Sequence, residues 1–472
     1  MGERTRSFPR SVNTQSAIAL VASLVTAALT PMASARAADV TIVINFPADK
    51  GPGYRKPNPD AAGAVGPKHT AVLDDRAFVV QDKATGKVLR NDTQHEFWLK
   101  VLPAKTFDLQ ANDPRLLYDP ITRRWIAWVQ GLKPANGYLA ISTTSDPTDP
   151  WRGVKMPIPP HNYGARIGFD KNGLYISVHN GSDDLKKAQT CHAIPMADVT
   201  AADGPNLANM QSFADLQIEA FPATDLDPKK APDAAAVLLH REFGDTASKL
   251  YMYKIMWSGK TARISKAQSI PLSKTYQSPN GASRKFQAVQ PAPGLKLRAD
   301  EGRRTLSVFA QGGSVFGCNA AKAKIDSRCG VLWYEVRVRD GALLQEGFVD
   351  APNCDYLVPS LAVDSKGNVG LGCTRTSEKE FPSVYVMRHA ATDAAGVMRT
   401  PVLAVKGTTY YRSPPSGSTN AIGWGNYSST CLDPSDPTLL WTCQEYANSK
   451  VEREWCTAWV AFRFHETRKR SP

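Results

Sequence analysis

The sequence predicts an all-β fold, a seven-bladed β-propeller in a single domain, and three observations favour it. Runs of β-branched, aliphatic and aromatic residues alternate with turns rich in Gly, Pro and Asp, and hardly any stretch has helical periodicity. One pattern, a strand, an acidic turn and an aromatic strand, recurs seven times along the chain. The repeats start at a spacing of roughly 40 to 50 residues, as in a four-stranded propeller blade, and loop insertions stretch the later ones. Two tandem β-sandwiches, the alternative, need no repeat.

The first element is a leader that we predict to be removed. Three arginines lie among the first ten residues, residues 16–30 are apolar and uncharged, and Ala35-Arg36-Ala37 is a small-x-small cleavage site. This is the pattern of a secretory signal peptide, residues 1–37. An uncleaved anchor is the rival interpretation, and the run is short for it. We therefore expect a secreted or periplasmic protein with no membrane span.

The acidic turns give the order of the blades. "DPRLLYDPITRRW" (residues 113–125) and "CLDPSDPTLLW" (residues 431–441) both place Asp-Pro between two strands. Asp hydrogen-bonds its own backbone in such turns, and Gly accepts the positive φ of a tight hairpin. We expect each turn to join the innermost strand of a blade to its second strand, so that all turns share one face, the turn face. The seven turns are marked by Asp74, Asp119, Asp170, Asp227, Asp300, Asp364 and Asp433.

The last repeat needs one more strand. It contains "NYSSTCLD", "TLLWTCQEY" and "TAWVAFRF", whereas the mature N-terminus offers "VTIVIN" at residues 40–45. We predict that this N-terminal strand closes the seventh blade and covers an edge that would otherwise be open. The propeller would span residues 38–464, followed by a basic C-terminal tail at residues 465–472.

The charge of the chain favours an anionic partner. The formal net charge is +13, and a basic exported protein is expected to meet an acidic polysaccharide or another anionic surface polymer. Nucleic acid is disfavoured because the sequence has neither a recognition helix nor zinc-finger spacing. We expect a monomer that needs no cofactor.

The chain has eight cysteines, which could form disulfides if the protein is exported as predicted. Disulfides form in oxidising compartments, so Cys318 with Cys329 and Cys443 with Cys456 are candidate pairs, with the full connectivity left open. No CxxC spacing occurs, and the sequence predicts no metal site.

Polar residues that precede innermost strands or follow second strands should meet on the face opposite the turns, the top face, around the mouth of the central channel. Arginine forks suit carboxylate or sulfate groups, and His and Tyr transfer protons. The predicted catalytic residues are His161, His179 and Tyr163. The predicted substrate-binding residues are His69, Asp113, Arg115, Arg166, Asp355, Trp424, Asn426, Tyr427 and Glu445. Each also has a structural interpretation; Tyr427, for example, could plug the channel.

Several longer phrases are distinctive: "DPRLLYDPITRRWIAW", "VPSLAVDSKGNVGLG" and "GWGNYSSTCLDPSDPTLLWTCQEY". They resemble a group of secreted bacterial β-propeller proteins that are loosely sialidase-like in architecture, in order over most of residues 60–464. The resemblance implies a propeller and export, and it implies no catalytic residue. The Ser-x-Asp-x-Gly-x-x-Trp box of sialidases is absent.

Three classes of function fit the candidate residues. A polysaccharide lyase would use Arg115 or Arg166 to neutralise a uronate, with a histidine as base and a tyrosine as acid. A glycosidase would use two carboxylates from Asp113, Asp355 and Glu445. A non-catalytic propeller would bind a glycan, or a protein in adhesion, without an acid–base pair. The sequence therefore predicts binding of an acidic polysaccharide at the top face and leaves open whether the protein cleaves it.

Overall fold

The computed structural model describes residues 40–49, 61–103, 107, 111–132, 135–158, 164–231, 233–279, 287–292, 295–298, 307–323, 326, 328–412, 421–448 and 455–464. All of them belong to one unit, Ala38–Pro472. The predicted signal peptide and the predicted basic tail lie outside the described residues and remain predictions. Among the residues the structure describes, no helix is both long and apolar enough to cross a bilayer.

The first three blades are antiparallel four-stranded sheets whose strands follow chain order from the inside outwards. A strand that precedes them, β1 (Val40–Asp49), joins the last blade, as described below. The first blade consists of β2 (Ala62–Val65), β3 (His69–Leu73), β4 (Ala77–Asp82) and β5 (Val88–Thr93). Helix α1 (Gln94–Val101) leads to the second blade, which consists of β6 (Asn112–Asp119), β7 (Arg124–Leu132), β8 (Ala135–Ser142) and β9 (Trp151–Pro157). The third blade consists of β10 (Arg166–Phe169), β11 (Gly173–His179), β12 (Gln189–Pro195) and β13 (Gln211–Leu216), with α2 (Met196–Val199) between the last two.

The next three blades follow the same plan with two variations. In the fourth blade both outer strands pair with the same long strand; the blade consists of β14 (Phe221–Pro222), β16 (Ala236–Arg241), β17 (Thr246–Ser258), β18 (Thr261–Ile264) and β19 (Gln268–Gln277). The short β15 (Thr224–Asp225) leaves that blade and pairs in parallel with the innermost strand of the fifth. The fifth blade consists of β22 (Ser307–Gln311), β23 (Ser314–Lys322), β24 (Cys329–Arg337) and β25 (Leu343–Val349). The sixth consists of β26 (Cys354–Val363), β27 (Val369–Ser377), β28 (Ser383–His389) and β29 (Val402–Val405).

The seventh blade closes the ring, as the sequence predicts. It is ordered β31 (Ser429–Leu432), β32 (Leu439–Tyr446), β33 (Cys456–Phe464) and β1, so that the N-terminal strand is its outermost member. The pairing of β1 with β33 is antiparallel and runs from Val40 opposite Phe464 to Asp49 opposite Thr457. The seven-bladed arrangement is therefore confirmed, and the outer edge of β33 is covered rather than open.

The innermost strands pack side by side around an axis. Contacts run from β31 to β2, β6 and β10, then through β14 and β15 to β22, β26 and back to β31. Tryptophans fill the spaces between blades: Trp459 of the seventh blade packs against Gly63 of the first, and Trp125 of the second packs against Gly66. Both indole rings are completely buried. Large rings against glycine backbone bring neighbouring sheets close together.

The acidic turns lie on the turn face with one exception. The turns at Asp119, Asp170, Asp227, Asp364 and Asp433 each follow an innermost strand. The prediction is wrong for Asp74, which joins β3 to β4, the second and third strands of the first blade, and therefore lies on the top face. The innermost strand of that blade, "AGAV", is made of small residues and escapes a search for β-branched runs. Asp300 lies outside the described residues.

The two candidate disulfides are wrong. Across the fifth-blade ladder Cys318 lies opposite Trp333, and Cys329 lies opposite Lys322. Across the seventh blade Cys443 lies opposite Trp459. The described residues include all eight cysteines, and no disulfide joins any two of them. Cysteines that are offset along a ladder do not meet the geometry that a disulfide requires.

One sheet stands outside the blades. Its order is β20 (Gln287–Val289), β21 (Lys296–Arg298) and β30 (Ala421–Gly423), and the last two strands are parallel. It is attached to the top of the sixth blade, where the Thr376 hydroxyl donates to the Val289 carbonyl at 2.9 Å. Strands of three residues carry too little pattern to be recognised in the sequence.

Candidate functional site

An axial cavity runs along the centre of the ring. Its volume is about 300 Å³, and residues from the innermost strands of all seven blades line it. The walls of the first three blades and the start of the fourth are mainly apolar. They include Ala62, Ala64, Leu116, Ile167, Phe169 and Phe221. Because the innermost strands of all seven blades stand around one axis, residues far apart in the chain meet here.

Two arginines, Arg115 and Arg166, which we call the arginine pair, face the same tyrosine at the top-face end of the cavity. The guanidinium carbon of Arg115 lies 3.4 Å from the centroid of the Tyr427 ring, and that of Arg166 lies 5.0 Å from it. Arg166 also lies 4.9 Å from the ring of Phe221. These distances are those of cation–π contacts. Both positive charges therefore lie close to the Tyr427 ring.

The arginine pair has no anionic partner among the described residues. The side chains belong to residues that are only 7% and 8% exposed. Arg115 Nη1 donates to the Pro114 carbonyl at 2.8 Å, and Arg166 Nη1 donates to the Ala165 carbonyl at 3.1 Å. The Nε and Nη2 atoms of both arginines are buried and make no hydrogen bond. Two buried cations in this state are costly, and an anion between them would remove that cost.

Tyr427 holds the pair from the seventh blade. Its hydroxyl donates to the Pro114 carbonyl at 2.9 Å, which ties the segment before β31 to the start of β6. The same carbonyl accepts from Arg115, so the ring and the guanidinium have a common anchor. The position of Arg115 over the ring is thus fixed by backbone that both side chains contact.

The wall formed by the sixth and seventh blades is polar. Ser428 donates to Ser360 at 2.8 Å, Ser360 and Thr430 lie 2.7 Å apart, and Gln444 Nε2 donates to Ser428 at 2.9 Å. We call Ser360, Ser428, Thr430, Thr442 and Gln444 the hydroxyl cluster. The first three of these line the axial cavity. Hydroxyl oxygens keep acceptor capacity when they donate, so this wall can bind hydroxyl groups.

The cavity is more open at the turn face than at the arginine pair. Leu117, Leu226 and Leu432 are partly exposed and line the end near the turns, where Pro437 is exposed. Tyr427 and Phe221, at the other end, are 4% and 3% exposed. The sequence predicts a ligand site at the top face, whereas the more exposed of the described lining residues lie near the turn face.

Asp113 supports the arginine pair from outside. It is the second residue of β6 and has a φ of 54°, a left-handed conformation uncommon for a residue other than glycine. Its Oδ2 accepts from Gln130 Nε2 at 2.9 Å and from the Gly164 N–H at 2.8 Å. The carboxylate thus fixes the segment that leads into Arg166, the first residue of β10.

Asp355 of the sixth blade likewise accepts hydrogen bonds from distant parts of the chain. It is completely buried and accepts from the backbone N–H groups of Cys329 at 2.9 Å and Val289 at 3.1 Å. Arg328 Nη1 lies 3.3 Å from its Oδ2. Burial raises the pKa of this carboxyl, although those hydrogen bonds and the Arg328 charge favour its ionised form.

Three further candidates lie near the top of the seventh blade. Trp424 is 1% exposed and packs edge-on against Tyr411 at 5.3 Å, in a core beneath the extra sheet rather than in the axial cavity. Glu445 is completely buried; Gly425 contacts its carboxylate so closely that a Cβ would collide with it. Asn426 is partly exposed and adjoins Tyr427.

Two of the candidate histidines, His179 and His69, lie on opposite faces of the propeller. His179 ends β11 on the top face, as predicted, and its Nδ1 accepts from the Gly181 N–H at 3.0 Å. The expected place of His69 is wrong, since it starts β3, the second strand of the first blade, and therefore lies at the turn face. There its Nε2 is 3.9 Å from Asp146. His161 and Tyr163 lie outside the described residues, so their predicted roles stay predictions.

Sequence reasoning missed the residues that shape the cavity below the arginine pair. Phe221 lies in a strand of two residues, and the hydroxyl cluster is built from "SST" and scattered small residues that carry no motif. The run "NYSSTC" is a possible signal, because it places hydroxyl groups on an innermost strand. In the described part of the chain, no group of His, Cys, Asp or Glu could hold a metal ion.

The similarity of this chain to known proteins is confined to distant solved structures. No family model and no curated protein matches the chain. Among solved structures, Hsv2 of Kluyveromyces lactis is similar over 88% of this chain and 98% of its own, with 9% identity and a TM-score of 0.37. The α-L-arabinofuranosidase Arb93A of Fusarium graminearum is similar over 78% and 97%, with 10% identity and a TM-score of 0.33. An α-L-arabinanase of Penicillium chrysogenum is similar over 76% and 95%, with 9% identity and a TM-score of 0.34.

Proposed function

We propose that this protein binds an acidic saccharide, and that the arginine pair holds a carboxylate or sulfate group of the ligand inside the axial cavity. One observation carries the proposal: two buried guanidinium groups lie within 5.0 Å of the centre of the Tyr427 ring and together have four nitrogen atoms without hydrogen-bond partners among the described residues. Planar, bidentate donors of this kind match carboxylate and sulfate oxygens. An anion between them would accept those hydrogen bonds and neutralise the charge.

The walls of the cavity favour a saccharide over other anions. A sugar ring has apolar C–H faces and an edge of hydroxyl groups. The cavity offers an apolar wall at Leu116, Ile167 and Phe169, and the hydroxyl cluster on the opposite side. Pockets with mainly apolar linings and a few placed polar groups are typical ligand sites.

Binding is favoured over hydrolysis because two of the three candidate carboxylates already have structural partners. Asp113 accepts from Gln130 and Gly164, and Asp355 accepts from two backbone N–H groups and pairs with Arg328. A glycosidase needs two carboxyl groups that face the scissile bond. We therefore propose a binding protein and, from its predicted leader and its excess of Lys and Arg over Asp and Glu, one that works outside the cytoplasm on an anionic polymer.

The test is the binding of polygalacturonate and dextran sulfate, with uncharged dextran for comparison, by isothermal titration calorimetry. Arg115→Gln and Arg166→Gln should each weaken binding of the charged polymer at least tenfold, because a charge-assisted hydrogen bond contributes about 1.5–3 kcal/mol. Arg339→Gln removes the same charge from a side chain that is 77% exposed and should bind as the parent does.

A second measurement separates a binding role from a structural one. Without ligand, Arg115→Gln and Arg166→Gln should melt no lower than the parent, since each removes an unpaired buried cation. If either variant melts several degrees lower, the pair is structural. Parental affinity for both charged polymers in the two variants would contradict the proposal, as would equal binding of dextran.

A further inference from the structure

We propose that the axial cavity takes the end of a saccharide chain, which enters from the turn face until its terminal acidic group reaches the arginine pair. This inference rests on the proposed function and specifies how the ligand is recognised. It concerns the geometry of the ring rather than the chemistry of the two arginines.

The first argument is that, in the part of the chain that the structure describes, the innermost strands form a continuous wall around the cavity. Residues from all seven innermost strands line it, and these strands contact one another in an unbroken circle, with β15 bridging the fourth and fifth blades. A linear polymer can enter a closed ring only along its axis. An internal unit of a long chain would have to be threaded through, whereas a terminal unit is not so constrained.

The second argument is size. The volume of the cavity, about 300 Å³, is at the lower end of the range of about 300–1,000 Å³ that is usual for small-ligand sites. It can therefore take a short piece of saccharide, while the rest of a polymer lies outside.

The third argument is direction. The lining is more exposed near the turns, at Leu117, Leu226 and Leu432, than at the arginine pair. Lys83, which is ion-paired to Asp433 at 2.9 Å, lies at the same end. A chain that enters here meets apolar side chains and the hydroxyl cluster first and the two guanidinium groups last. An acidic group of the ligand therefore becomes buried at the arginine pair only when it belongs to the terminal unit of the chain.

The experiment counts protein molecules bound per chain of polygalacturonate, using fractions of increasing chain length and light scattering together with calorimetry. End recognition predicts a constant number of protein molecules per chain, whatever the length, and competition by free galacturonate. A number that rises in proportion to chain length would overturn the inference.

Two variants test the entrance. Leu432→Trp narrows the cavity at the turn face and should weaken binding at least tenfold. Leu403→Trp, on the outer strand β29 where the leucine is 42% exposed, makes the same change away from the cavity and should bind as the parent does. Unchanged binding by Leu432→Trp would overturn entry from this face.

The two proposals fail differently. If Arg115→Gln and Arg166→Gln abolish binding while the number of bound molecules grows with chain length, the proposed function stands and recognition of the chain end is wrong. If the arginine variants bind as the parent does, the proposed function is wrong regardless of the count.

Discussion

The two guanidinium groups above Tyr427 show how the start of a strand determines chemistry at the residue scale. Arg166 is the first residue of β10, and Arg115 lies near the start of β6. The sequence placed both on the top face, together with Tyr427, because each precedes or begins an innermost strand. That reasoning depends only on strand direction, and it holds wherever the innermost strand is recognised.

The same reasoning failed for His69 because one strand was not recognised. The innermost strand of the first blade contains only small residues and Val65, so the acidic turn at Asp74 was assigned to the wrong hairpin. Residues whose positions were predicted by reference to that turn were therefore assigned to the neighbouring strand. Because neighbouring strands run in opposite directions, a residue expected at the top face, such as His69, lies at the turn face. The roles of individual carboxylates could not be read either, because most of their partners are distant in the chain: Gly164 for Asp113, and Val289 and Cys329 for Asp355.

His240 gives a prediction about pH. Its imidazole is completely enclosed in the fourth blade, with Nδ1 2.9 Å from the Arg241 carbonyl, and burial lowers its pKa from 6.5 to about 4. Between pH 6.5 and pH 4 the unfolded chain binds a proton at this site that the folded protein does not bind. Stability is therefore complete above about pH 6.5 and falls as the pH falls toward 4, by roughly 3 kcal/mol.

We expect His240→Gln to flatten this part of the stability profile. The measurement is the free energy of unfolding by urea at several values of pH from 7.5 to 4.5, for parent and variant. The difference between the free energies of unfolding of the parent and of His240→Gln should shrink or change sign as the pH falls. Parallel profiles across the whole range would show that His240 does not titrate as its burial requires.

At the scale of elements, neighbouring blades are held together by tryptophan rings that pack against the backbone of glycines. Gly63 of β2 faces Trp459 of β33, and a Cβ on this glycine would lie 2.7 Å from Cη2 of the indole ring. The Gly63 N–H also donates to the Ser429 hydroxyl at 2.9 Å. The contact between the first and last blades therefore depends on the absence of a side chain.

We expect Gly63→Ala to destabilise the fold by about 1–3 kcal/mol, as overpacking of a core does. Trp459→Phe removes the two atoms nearest to the new methyl group, Cη2 and Cζ2 of the indole ring, while the Cys443 Cβ at 3.0 Å remains. In a double-mutant cycle, the cost of Gly63→Ala should be smaller in the Trp459→Phe background. Urea unfolding of the four proteins gives the coupling, and strictly additive costs would contradict this account of the interface.

Long strands could be predicted from the sequence and short ones could not. β26 and β32 carry eight to ten residues of strong strand pattern next to an acidic turn. By contrast β14 and β15 have two residues each, and the extra sheet is built from strands of three. Such pieces are set by tertiary contacts, for example the Val289 N–H bond to Asp355, and leave no periodicity to detect.

At the scale of the whole molecule, the repeat was sufficient to predict the ring and its closure by the N-terminal strand. Cysteine positions were not sufficient, since export favours disulfides and the strand register separates both candidate pairs. A repeat fixes how many sheets there are, whereas a disulfide depends on register at the level of single residues.

Ring closure leads to a prediction about truncation. Val40 and Phe46 of β1 are buried, and Phe46 lies 6.0 Å from the ring of Trp441. Removal of residues 38–46 should lower the melting temperature markedly, because each large apolar side chain contributes about 1.5–3 kcal/mol by burial and the ladder with β33 is lost. Differential scanning calorimetry measures the change.

Removal of residues 465–472 is the control and should leave the melting temperature as it is. A peptide of residues 38–49 added to the truncated protein should restore part of the loss. Melting of the truncated protein at the temperature of the full chain would show that β1 does not hold the ring together.

The pairing of β1 with β33 also governs the order in which the molecule can form. β1 is the first strand that the structure describes and β33 is the last, and the two are hydrogen-bonded to each other, so the seventh blade cannot be complete until β33 has been synthesised. This raises the contact order, and folding of such topologies is slow. The protein consequently spends its synthesis as an incomplete ring with one exposed edge. A circular permutant that begins at β2 and carries β1 after β33 would make the closing hairpin local and should fold faster without any change in its native contacts.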